Sequence, residues 1–96
     1  MGIAASQARL MMVTRYQSDL EFAMQMLSQK RTVLAYQAQQ AAENYPELAA
    51  KYHTMDKKLE SEMKTLETQQ KMVSTEYDSV KKVLDDNISR SMKYMS

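Results

Sequence analysis

The chain has 96 residues, 44% hydrophobic and 26% charged, with 13 Lys plus Arg against 12 Asp plus Glu and no Cys. That length allows one domain, the missing thiols exclude disulfides, cysteine nucleophiles and thiolate metal sites, and the even charge gives no field toward nucleic acid or an anionic membrane. No apolar run approaches the roughly 20 residues of a membrane span, and no basic region followed by an apolar core marks a cleaved secretory signal.

Punctuation is scarce, since Gly2 is the single glycine and Pro46 the single proline. These are the usual makers of turns. The rest is rich in Ala, Gln, Met, Leu, Lys and Glu, all good helix formers, while the β-branched residues are scattered singly. The expected fold is all-α: one domain over residues 1–96, built as a long, coiled-coil-like antiparallel two-helix hairpin. Arm one covers about residues 4–43, the turn lies at Asn44-Tyr45-Pro46, and arm two covers 47–95. A single helix kinked at Pro46 is the other geometry the sequence permits.

Met1-Gly2-Ile3-Ala4-Ala5-Ser6 fits the short pattern for N-myristoylation at Gly2. The plainer reading is that a helix begins at Ala4, Ala5 or Ser6. From there to Glu43 nothing breaks a helix, and Leu10, Val13, Gln17, Leu20, Met24, Leu27, Arg31, Leu34, Ala38 and Ala41 alternate steps of three and four. An α-helix gathers such positions on one face, so they form a seam that needs a partner. Met11, Met12, Phe22, Met26 and Val33 lie beside or outside it, which gives arm one a broader apolar face than a two-helix contact covers. These residues are the predicted surface for self-association.

At Glu43-Asn44-Tyr45-Pro46-Glu47 the helix should stop. Pro disfavours helical backbone in the residue before it and suits the first turn of a new helix, so Tyr45 ends one arm, Pro46 starts the next, and Asn44 is the expected terminator or cap. In arm two, Leu59, Met63, Leu66, Gln70, Val73, Tyr77, Val80 and Leu84 continue the four-three spacing without a break, and Ala49 and Tyr52 extend it backward. Asp56 and Gln70 are polar interruptions of the kind that fix register.

A hairpin pivoting near residue 45 pairs residues whose numbers add to about 90. That places Arg31 near Asp56 or Leu59, with a solvated ion pair expected at the seam edge. It also brings Leu84 to the chain start near Ser6, so Ile88, Met92 and Met95 should lack a partner in the same chain and complete the predicted self-association surface.

The residues offer no catalytic or cofactor site. His53 is the only histidine and is expected to face solvent. Asp85-Asp86, Glu60 and Glu62 sit among lysines, as solvated helix faces do. No enzyme activity, metal or cofactor is expected. The Tyr residues are spread along both arms without basic interleaving, so they form no stacking platform for nucleic acid. Met24 and Met63, on the seams, read as core, and Met11, Met12, Met26, Met92 and Met95 as adaptable contact surface.

Pro46-Glu47-Leu48-Ala49-Ala50 resembles the turn and second-helix start of the bacterial type III secretion needle and inner-rod subunits, and Asn87-Ile88-Ser89-Arg90-Ser91-Met92-Lys93 resembles their C-terminal segment. Ala5-Ser6-Gln7-Ala8-Arg9-Leu10 is similar to the starts of flagellar axial proteins. The resemblance implies a subunit that stacks with copies of itself into a filament or a secretion-related tubular assembly. It implies an extracellular or cell-surface place reached without a cleaved signal, and contact with a secretion machinery or chaperone. The alternative is a cytoplasmic coiled-coil adaptor or secretion chaperone that binds a partner helix.

Overall fold

The computed structural model describes residues 2–95 as two α-helices, α1 (Ile3–Ala41) and α2 (Pro46–Met95), with no strand among them. The fold is an all-α antiparallel two-helix hairpin. Its helices, 39 and 50 residues long, are far beyond the average for globular proteins. Each draws lateral support from the seam along the other. Buried apolar side chains are Val13, Leu20, Leu27, Leu34, Ala38 and Ala41 on α1 and Ala49, Val73, Val80 and Leu84 on α2. Threonines within the helices are accommodated by back-bonding, as where the Thr14 and Thr32 hydroxyls donate to the carbonyls of Leu10 and Ser28 at 2.8 and 3.0 Å.

The connection differs in detail from the sequence expectation. Asn44 neither terminates α1 nor caps α2: α1 ends at Ala41, whose carbonyl accepts from the Tyr45 N–H at 2.8 Å, and the Tyr45 carbonyl accepts from the Ala49 N–H at 3.0 Å. Tyr45 is therefore the N-cap of α2 and Pro46 its first residue, because Pro has no N–H to satisfy and forces its predecessor out of the helical conformation. No non-glycine residue among those described has a positive φ. The left-handed cap that would favour Asn is thus not used.

The chain divides into two compact units. One is Glu21–Thr68, around the turn; the other joins the chain up to Leu20 to the chain from Gln69 onward. In the turn unit, Ala38, Ala41 and Ala49 are buried next to the connection, where small side chains let two backbones approach within the reach of a short turn. Leu27 and Leu34 are buried, while Met24, Tyr52, Leu59, Met63 and Leu66 are half-buried.

Arg31 enters this seam between Leu27 and Leu34. Its Nε donates to Asp56 Oδ1 at 2.9 Å and its Nη2 to Asp56 Oδ2 at 3.5 Å, and Nη2 lies 4.0 Å from Glu60 Oε2, while Glu60 Oε1 faces Lys64 Nζ at 3.6 Å. The solvated pair expected at the seam edge is instead a half-buried, two-pronged one, because the planar guanidinium matches the carboxylate geometry. The hydrogen bond from Arg31 holds the Asp56 carboxyl below its ordinary value, and the same bond raises Arg31. A depressed carboxylate pKa contributes stability above its unfolded value near pH 4 and loses it as pH falls through the folded value. Thermal melts of the wild type are therefore expected to hold level near neutrality and to drop below about pH 4. Asp56→Asn should shrink that acid-dependent part of the drop; an unchanged acid limb would mean the pair carries no stability.

In the other unit Val13, Leu20, Val73, Val80 and Leu84 are buried, with Leu10, Gln17, Gln70 and Tyr77 half-buried between them. Ser6 is fully buried, and its Oγ accepts from Asn87 Nδ2 at 3.3 Å. Arg9 Nη2 pairs with Glu76 Oε1 at 3.3 Å on the exposed flank. The cross-helix partners Ser6–Asn87, Arg9–Glu76 and Arg31–Asp56 have numbers adding to between 85 and 93, the register expected from the turn.

Beyond Leu84 the inward line of α2 runs through the half-buried Asn87 and Ser91, while Ile88, Met92 and Met95 lie off it and are exposed. The seam keeps its spacing and changes to polar residues, matching Ser6 on α1. α1 likewise begins at Ile3, one residue earlier than expected, with the Gly2 carbonyl accepting from the Ser6 N–H at 3.0 Å.

Candidate interaction surface

Every residue assigned from sequence to self-association is exposed: Met11, Met12, Phe22, Met26 and Val33 on α1 and Ile88, Met92 and Met95 on α2. Two arrangements among them have a definite geometry, one in each unit.

The first is a groove in the turn unit. On α1, Met12, Tyr16, Ala23, Met26 and Val33 follow a second four-three line beside the buried seam, broken by Asp19 and Lys30. Within Glu21–Thr68 this line meets α2 across an open groove of about 690 Å³, lined by Met26, Val33 and Leu34 from α1 and Met55 and Leu59 from α2, with Gln29, Lys30, Lys58 and Glu62 around it. A shallower continuation reaches Ala23, Leu27, Thr65 and Leu66. Local chemistry explains why the groove stays open. Positions seven apart are equivalent along a seam flank, and the flank that carries the Arg9–Glu76 pair carries, in the turn unit, Ala23 and Lys30 on α1 and Glu62 and Met55 on α2. Ala23 is too short to span the flank, and Lys30 faces an apolar Met55 position.

Its rim charges are uncommitted. Among the described residues, no ion pair engages Lys30, Lys58 or Glu62. An apolar floor with free charges at the edge is the composition of a helix-binding groove.

The second arrangement is the end of α2. α1 begins at Ile3 and Ser6 faces Asn87, so at that register Ile3 lies opposite about residue 90 and α2 runs past the start of α1 by little more than one turn. Ile88, Met92 and Met95 form a stripe along this end of α2, and Met92 and Met95 are 65% and 87% exposed. Asp85 continues the stripe one turn earlier, whereas Arg90 and Lys93 point from the opposite side of the helix.

Sequence reasoning missed the α2 wall of the groove. Met55 is 52% exposed, and the signal for it was the seven-residue spacing of Leu48, Met55 and Glu62 along the flank. Tyr36 and Tyr94 are also exposed, and His53 faces solvent as expected. Among the described residues no cluster of His, Cys, Asp or Glu could hold a metal ion, and no helix is long and apolar enough to cross a membrane. No protein-family model, curated protein or solved structure matches the chain.

Proposed function

We propose that the chain is a structural, non-catalytic subunit that assembles with copies of itself, through α1 and the C-terminal extension of α2, into a filament or a secretion-related tubular assembly. The observation that carries this reading is the pair of unlike apolar surfaces, the groove around Met26, Val33 and Met55 and the stripe Ile88, Met92 and Met95. A single self-complementary patch closes into a dimer; two different patches on one chain join head to tail and, wherever the rotation does not close a ring, leave an end open at every step.

Surface area supports the same reading. The chain exposes 7597 Å², about a third more than the roughly 5,700 Å² typical of a monomeric protein of its mass. The excess is of the size that subunits of permanent assemblies bury. The groove by itself also suits the alternative, an adaptor that accepts a partner's amphipathic helix.

Light scattering across a concentration series separates the two. Open assembly predicts a mean mass that climbs continuously with concentration. One fixed small oligomer, or a monomer, at every concentration contradicts it and favours the adaptor.

A further inference from the structure

We infer that the C-terminal stripe of one copy seats in the turn-unit groove of the next, with Ile88, Met92 and Met95 on the floor formed by Met26, Val33 and Met55. This deepens the self-assembly reading and rests on it. Three observations single out this occupant. The lengths agree: Ala23 to Leu34 on the groove wall and Asp85 to Met95 on the stripe each span about 15 Å at 1.5 Å per residue.

The polarity agrees as well. Both surfaces are apolar at the centre, and the stripe is bordered by Ser89 and Ser91, so its burial sets no unpaired charge against the floor. The charges are complementary too. The groove rim holds two lysines and one glutamate, none in an ion pair among the described residues, while Asp85 lies on the stripe and the basic Arg90 and Lys93 lie on the helix face turned away. Seated in the groove, Asp85 meets Lys30 or Lys58.

A symmetric groove-to-groove dimer is the competing arrangement. It would cover Met26 and Val33 and leave Met92 and Met95 in water in both copies. The head-to-tail seat covers both surfaces with one contact and repeats.

The absence of cysteine makes the seat directly testable. Val33→Cys and Met92→Cys, both at exposed positions, are prepared separately, one with a heavy-isotope label, and mixed in equal amounts. They are then oxidised under conditions where each variant, reduced, scatters light as the parent does. Met26→Cys with Ile88→Cys serves as the second pair.

The seat predicts that the mixed disulfide between the two variants exceeds either homodisulfide several-fold. Assembly with a predominant Val33→Cys homodisulfide, or with products in random proportion, overturns the seat and leaves self-assembly standing. A parent chain that stays monomeric at every concentration overturns both.

Discussion

Leu27→Ala should strongly destabilise the hairpin. Leu27 is buried in the seam of the turn unit, and removing a buried leucine side chain costs about 2–5 kcal/mol. Small domains have only about 5–15 kcal/mol in total, so the loss is a large share of the whole. The expected result is a large fall in melting temperature with loss of helical circular dichroism. Met26→Ser, one residue away, is the control: Met26 faces the groove at 42% exposure, so its replacement should shift the melting temperature by little. Equal effects at the two positions would contradict the assigned faces of α1.

Removing residues 88–96 should abolish assembly and spare the hairpin. Asn87, which pairs with Ser6, is retained, and the deletion takes away Ile88, Met92 and Met95 with the half-buried Ser91 but none of Val73, Val80 or Leu84. Helical signal per residue and melting temperature should stay near those of the full chain. The mean mass by light scattering should fall to that of a single chain at concentrations where the parent is large. A truncated protein that assembles like the parent would remove the extension from the interface, and Met92→Asp in the full-length chain checks the same point with one residue.

Much of the hairpin was legible because its seam is written in apolar residues at a spacing only a helix brings together. Val13, Leu20, Leu27 and Leu34, and on α2 Val73, Val80 and Leu84, are buried as that spacing implies. Pro46 marked the turn because its chemistry constrains both its neighbours. The seam ends were harder to read. Ser6, Asn87 and Ser91 continue the line with polar side chains, and a hydrophobic pattern is blind to an inward serine satisfied by an asparagine 81 positions away.

Arg31 and Asp56 were placed together by the pivot arithmetic, but their degree of burial depends on the shape of the surrounding Leu27, Leu34 and Leu59. That shape belongs to packing and not to spacing. The groove was half visible for the same reason: Met26 and Val33 stood out as surplus apolar residues on α1, whereas Met55 gained significance once α2 was brought against α1.

The most direct test of open self-assembly is negative-stain electron microscopy of the purified full chain at the concentrations used for light scattering. Long particles of uniform width that lengthen with concentration are the expected result. A field of identical small particles at every concentration, or none above the size of a single chain, would contradict it.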